Sequence, residues 1–253
     1  MIKPIKHFGQ NFLIDKTVVK KVIKASDLNL QDIVLEIGPG MGALTEQIAK
    51  KARKVIAIEK DDRMCRFLRE KFKDFKNIEI INKDILKFNN YSLPTTHYKL
   101  ISNLPFYITA PVIRKFLESK NPPKEMILII QKEVAQRICS KPGKMSILAV
   151  SVQFYSDVKT LSYISKRAFS PKPKVDSAII KIKPKGYKVN KKFFKLVKAG
   201  FSQPRKQLIN NLSKQLKINK EKISSLLLSK KIKPTQRAES LTINNWIDLL
   251  KVL

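Results

Sequence analysis

The chain has 253 residues, with 52 Lys and Arg against 20 Asp and Glu, a formal net charge of +32, and two cysteines, Cys65 and Cys139. That length carries one large α/β domain plus a small appendage; two cysteines are too few for a disulfide framework or a zinc site, so no metal and a reducing, cytoplasmic home are expected. The start has no apolar targeting core and no run approaches the roughly 20 apolar residues of a membrane span, which predicts a soluble, unsecreted protein.

Short β-branched runs at 33–35, 55–58, 78–81, 98–102 and 126–130, separated by helical spacers, predict a parallel sheet built of βαβ units. Two more strands are predicted near 159–163 and 175–182, seven in all. Pro94 and the Asn121-Pro122-Pro123 cluster punctuate the loops. After Pro184-Lys185-Gly186 the pattern changes to helices alone, at 191–199, 205–216, 220–228 and 243–250. The expected organisation is therefore an α/β domain over 1–185 and a small all-helical domain over 186–253.

Charge follows this division. Residues 181–253 hold 19 Lys and Arg and 3 acids, so under a third of the chain carries half of the excess. An excess of that size repels itself in a compact domain unless a polyanion is a regular partner. A lysine-rich proteome is the bland explanation, but the concentration in one region reads as a footprint for nucleic acid. A membrane surface fits less well, because the region lacks one long amphipathic helix rich in aromatic residues.

Three of the seven glycines stand at alternate positions in Glu36-Ile37-Gly38-Pro39-Gly40-Met41-Gly42-Ala43-Leu44-Thr45, between the first predicted strand and a helix. Glycine there lets the backbone turn tightly and approach a ligand closely. The next strand ends at Glu59, where a carboxylate can accept hydrogen bonds from ribose hydroxyls. Asp84 follows the third strand and suits an adenine amine. Either acid alone reads as a solvated loop charge; both, at successive strand ends after that loop, point to an adenosine cofactor in the crevice of the sheet. The fourth strand stops at Asn103-Leu104-Pro105-Phe106. An amide, a carbonyl beside a proline and an aromatic ring within four residues can hold a planar ring and accept from its exocyclic amine.

With these residues the chain resembles the S-adenosylmethionine-dependent methyltransferases, and more specifically the ribosomal RNA small-subunit adenine N6,N6-dimethyltransferase family. His7 to Asp15 (His-Phe-Gly-Gln-Asn-Phe-Leu-Ile-Asp) is similar to the family's N-terminal signature, Phe169 to Ala178 to its late aromatic loop, and Phe201 to Leu212 to its helical-domain signature. The resemblance covers nearly the whole chain. It implies a Rossmann-like, mostly parallel seven-stranded methyltransferase sheet over 1–185, with residues 1–15 an arm over the cofactor, and a basic RNA-binding domain over 186–253. It implies cofactor contacts at Asn11, Leu13, Gly38, Glu59, Asp84 and Asn103, and catalysis by Asn103, Leu104, Pro105, Phe106 and Phe169, with S-adenosylmethionine as methyl donor. The expected activity is N6,N6-dimethylation of adenines, two adjacent ones, in small-subunit ribosomal RNA during ribosome biogenesis. The expected partner is that RNA in the small subunit or its precursor, met by a monomer.

Other roles stay open for several residues. Phe8, Phe12 and Leu13 also read as a packing staple, and Phe106 and Phe169 as core. His7 reads as an arm residue rather than a base, and His97 as a residue of a polar loop. Asp176 and Ser177 read as a cap or turn, and Trp246 as core of the helical domain. The family motif commonly has tyrosine at Phe106 and asparagine at Tyr107, and Arg-Arg-Lys-Thr where this chain has Pro204-Arg205-Lys206-Gln207. Competing functions are a large-subunit adenine methylase of the antibiotic-resistance type and a non-catalytic RNA-binding assembly factor. A nicotinamide oxidoreductase fits poorly, for want of a proton-transfer residue at the strand ends.

Overall fold

The computed structural model describes residues 10–89, 93, 97–186 and 190–253. His7, Phe8 and Pro94 lie outside them. The strands are β1 (Phe12–Leu13), β2 (Ile33–Ile37), β3 (Lys54–Glu59), β4 (Ile78–Asn82), β5 (Lys99–Asn103), β6 (Glu125–Gln131), β7 (Ser156–Ile164), β8 (Phe169–Ser170) and β9 (Ser177–Pro184). Seven of them form one sheet in the order β4-β3-β2-β5-β6-β9-β7; β1 and β8 pair separately, Phe12 opposite Ser170 and Leu13 opposite Phe169. Neighbours from β4 to β6 are parallel, while β9 is antiparallel to both β6 and β7.

The sequence of each strand follows from its place. Runs such as Met126 to Ile130 in β6 are fully buried, as central parallel strands with both faces covered require. β7 lies at one edge and mostly alternates exposed and half-buried residues. The helices between the parallel strands are α1 (Lys16–Ala25), α2 (Ala43–Ala49), α3 (Asp62–Lys71) and α4 (Thr109–Leu117). Asp15 caps α1 by accepting from the N–H groups of Thr17 at 2.7 Å and Val18 at 3.3 Å, and Asp61 caps α3 through Arg63.

The chain divides into two compact units, one of residues 1–135 and 156–186, the other of 136–155 and 187–253. Residues 136–155 thus group with the helical segment rather than with the α/β domain expected over 1–185. Between β6 and β7 run α5 (Lys132–Ile138) and α6 (Ile147–Tyr155), and α7 (Lys191–Gly200), α8 (Leu208–Leu216), α9 (Lys220–Ser229) and α10 (Ile243–Leu250) follow. The reason for the regrouping is aromatic: Phe154 at the end of α6 stacks on Phe193 of α7 at 3.8 Å between ring centroids. Trp246 is fully buried in the same unit and stacks on Phe201, as its core assignment predicts.

The helix expected at 205–216 starts at Leu208 instead. The Leu208 N–H donates to the Gln236 carbonyl at 2.7 Å, so it cannot serve an earlier helical turn. Asn211 donates to the carbonyls of Gly200 and Gln203 at 2.7 and 3.0 Å and holds 203–207 as an exposed turn. Among the described residues no helix is long and apolar enough to cross a membrane, and no group of three or more His, Cys, Asp or Glu is placed to hold a metal.

Candidate active site

The sheet order sets the place of the site. From β2 the chain runs outward through β3 to β4, then returns to lay β5 on the other side of β2. Ligands of such sheets bind in the crevice at the carboxyl ends of the two strands where the order reverses. A cavity of about 1140 Å³, its mouth included, opens there. All ten residues singled out above line it: Asn11, Leu13, Gly38, Glu59, Asp84, Asn103, Leu104, Pro105, Phe106 and Phe169.

The glycine loop forms one wall. The Gly38 N–H donates to the Ile58 carbonyl at 2.9 Å, which ties the loop to the end of β3. Gly38 has φ 61°, and a Cβ built on it would sit 3.6 Å from Pro105 Cδ, so the loop and the Asn-Leu-Pro-Phe segment touch. At Gly40, φ 57°, a Cβ would come 2.9 Å from Phe12 Cδ1. The Phe12 ring therefore lies on the loop itself, so the residue that reads as a staple also closes the pocket. Leu13 is buried among Val18, Val22 and Ile48 as well as lining the cavity.

Three carboxylates face this wall. Glu59 accepts on one oxygen from the N–H groups of Lys60 and Asp61 at 2.8 and 2.9 Å. Burial raises its pKa, against the pull of those N–H groups. Asp84 accepts from the Leu86 N–H at 2.9 Å and pairs with Lys60 at 3.0 Å. Burial works to raise the Asp84 carboxyl, but that N–H and Lys60 outweigh it and hold the group below its usual range. An amine reaching Asp84 would share oxygens already in use, which their spare lone pairs permit.

Glu36 is the group that the sequence reading left out of the site. It lies inside β2, 1 % exposed, and its Oε2 has no hydrogen-bond partner among the described residues. Burial pushes its carboxyl up to about 8; Thr45 beside it pulls the other way and the charge of Glu59 adds to the rise. The visible signal was an acid in an otherwise apolar strand, Ile-Val-Leu-Glu-Ile. A buried acid in this position escapes the cost of an uncompensated charge by keeping its proton, and its free oxygen is open to a hydrogen bond from a polar ligand.

Asn103 ends β5. Its Nδ2 donates to the Asn11 carbonyl at 3.0 Å. A carbonyl only accepts, so this bond decides which end of the amide is nitrogen, and no described residue donates to Oδ1. Next to it the Leu104 N–H donates to the Ile129 carbonyl at 3.1 Å, and Ser102 Oγ donates to the Ile37 carbonyl at 2.5 Å. Together these bonds pin the end of β5 to β6, to β2 and to the arm. Phe106 is half-buried on the cavity wall and Tyr107 is 55 % exposed at its rim. Phe169 is 3 % exposed: it packs in the core and presents part of its ring to the cavity.

The residues set aside earlier stand elsewhere. Asp176 accepts from the Lys166 N–H, ten residues away, at 3.0 Å, and Ser177 is buried at the start of β9. His97 is exposed and does not line the cavity.

The family model described as ribosomal RNA adenine dimethylase matches residues 2–253. A ribosomal RNA small subunit methyltransferase A of Dehalococcoides mccartyi is 44% identical over 252 residues, 97% of this chain and 87% of its own. The crystal structure of a dimethyladenosine transferase from Plasmodium falciparum has a TM-score of 0.83 at 26% identity, covering 95% of this chain and 96% of that one. That of the 23S rRNA methyltransferase ErmE has a TM-score of 0.79 at 25% identity, covering 95% and 98%. Because the match runs from the arm to the last helix, the chain as a whole belongs to the ribosomal RNA adenine dimethylase family.

Proposed function

We propose that this enzyme dimethylates the N6 of adenines, two adjacent ones, in small-subunit ribosomal RNA, with S-adenosylmethionine as donor. The observation that carries the reading is the Asn103 amide, held by its nitrogen on the Asn11 carbonyl with Oδ1 left to accept at the cavity. The relatives' name favours the small-subunit substrate.

The cavity fits such a cofactor. Its polar groups (the Glu59 and Asp84 carboxylates and the buried carboxyl of Glu36, one oxygen of which has no partner) suit a ligand with hydroxyls and amines. The Phe12 ring can lie this close over the glycine loop only because Gly40 lacks a Cβ. Asn11, Leu13, Gly38, Glu59, Asp84 and Asn103 are the residues that would hold it. When bound, it supplies an already electrophilic methyl carbon, so no strong general base is required of the protein.

The chain's own residues prepare the nucleophile. Adenine N6 is weak because its lone pair is delocalised into the ring. Hydrogen bonds from its hydrogens to Asn103 Oδ1 and the Leu104 carbonyl favour a pyramidal nitrogen with a localised pair. Pro105 restricts Leu104 and so aims that carbonyl. Phe106 stacks on the base and Phe169 backs the opposite face, at roughly 1–3 kcal/mol per stacked base; the base must leave its own stack to enter. This is catalysis by positioning and electrostatics. The second unit, with 19 Lys and Arg against 3 acids, is the RNA-binding part, and the cytoplasm is the place of action.

The test is transfer of labelled methyl groups to small ribosomal subunits from cells lacking this protein. Dimethyladenine should appear with the wild type, and Asn103→Ala should lower kcat at least a hundredfold while RNA binding is kept. Label in large-subunit RNA alone would overturn the substrate, and near-normal turnover of Asn103→Ala would overturn the N6 contact.

A further inference from the structure

A second hollow lies on the first unit, behind the β1–β8 ribbon. It is lined by Asp15, Thr17, Lys21, Tyr163, Ser165 and Arg167, with Val18, Ile164 and Ala168 as its floor. The ribbon is a wall shared with the cavity. Leu13 and Phe169 line the cavity, while Asp15 and Arg167, each two residues away along its strand or turn, line the hollow. The N–H groups of Ile14 and Asp15 both donate to the Ala168 carbonyl, at 2.9 and 3.3 Å, and stitch the two sides together. Two residues of extended chain span about 7 Å.

The chemistry of the hollow is that of a nucleotide site. Tyr163 is 54 % exposed, one of two strongly exposed tyrosines among the described residues; the other, Tyr107, stands at the cavity rim. The Lys132 ammonium lies 5.3 Å from the centre of the Tyr163 ring. Lys21 and Arg167 are exposed, and neither they nor Lys132 has a side-chain ion pair among the described residues. The one acid, Asp15, is committed through Oδ1 to capping α1. Two cations against one acid beside an exposed aromatic ring, with the Thr17 and Ser165 hydroxyls in the same lining, match a phosphate and a base that tolerates any sequence.

We propose that this hollow is a docking subsite for an unpaired nucleotide next to the adenine in the cavity, its base on Tyr163 and its phosphate between Lys21 and Arg167. The inference rests on the RNA-methylating reading of the cavity and adds to it a second point of grip on the strand, across the ribbon. Its use is leverage: a flanking nucleotide held outside the wall keeps the target base from sliding back into its stack.

The experiment uses the full chain with two probes, small subunits from cells lacking the protein and a fluorescent twelve-nucleotide oligouridine. Tyr163→Ala should raise KM for the subunits about 5–10-fold, the low end of what one stacked base contributes, with kcat within twofold. Tyr163→Phe should restore KM. Lys21→Ala with Arg167→Ala should flatten the salt dependence of oligouridine binding by a slope of about 0.7, one single-strand phosphate contact. Melting temperatures matching the wild type show that the variants fold. An active wild type with unchanged KM and salt slope in these variants sinks the subsite alone, and so does a fall in kcat with KM unchanged, which would make Tyr163 part of the cavity wall. A wild type inactive on every RNA sinks the reading of the cavity instead.

Discussion

Replacing Glu36 with glutamine should flatten the fall in stability between pH 5 and 8. In the folded chain the Glu36 carboxyl is fully buried, one oxygen has no partner, and its pKa stands at about 8 against an ordinary 4.5. The folded state therefore keeps a proton that the unfolded chain releases. Below about 4.5 both states hold it and nothing depends on it. As pH rises toward 8 the unfolded chain ionises alone, which stabilises the unfolded state; above 8 both are ionised and the loss is complete. The interval from 4.5 to about 8, at about 1.4 kcal/mol per pH unit, comes to about 5 kcal/mol. That is an upper bound, because local loosening lets water reach the group, but it is large beside a total stability of about 5–15 kcal/mol. Glu59 is raised in the same direction, so the wild-type slope includes it. Glu46, Asp61 and Asp84 are lowered and act at more acid pH, outside this window. Guanidinium denaturation at half-unit steps from pH 5 to 8, at constant ionic strength, gives the slope. The wild type should lose up to about 1.4 kcal/mol per pH unit more than Glu36→Gln. Parallel curves for the two proteins would refute the buried proton.

Two further outcomes follow from the same geometry. Gly40→Ala puts a Cβ 2.9 Å from the Phe12 ring at φ 57°, so stability should fall by about 1–2 kcal/mol and the dissociation constant for S-adenosylmethionine should rise about tenfold by calorimetry; unchanged affinity would show that the loop and arm do not need the glycine. Phe106→Ala should cost at least tenfold in kcat/KM where Phe106→Tyr costs less than threefold, and equal losses would argue against stacking on the base.

The strand-end wall of the cavity was legible because it is written in local spacing. Gly38 to Gly42, Glu59 and Asp84 each close a strand of a parallel sheet, and strand ends in such a sheet lie along one edge whatever the helices between them do. Asn11 and Phe169 were legible only through the family resemblance, because no periodicity connects residue 11 or 13 with residue 169. Glu36 was not legible as a site residue, because only the fold shows that its carboxyl is buried with one oxygen lacking a partner.

By itself the sequence determined the strand pattern, the glycine loop, the strand-end acids and the Asn-Leu-Pro-Phe terminus, all short-range features set by side-chain period and backbone freedom. Tertiary structure alone decided the rest. Packing of Phe154 on Phe193 grouped residues 136–155 with the second unit, and the Gln236 carbonyl moved the start of α8 to Leu208. The Asn11 carbonyl oriented the Asn103 amide across 92 positions of chain. A sequence can name an amide, but which of its two ends faces a substrate depends on a hydrogen-bond partner that only the fold brings near.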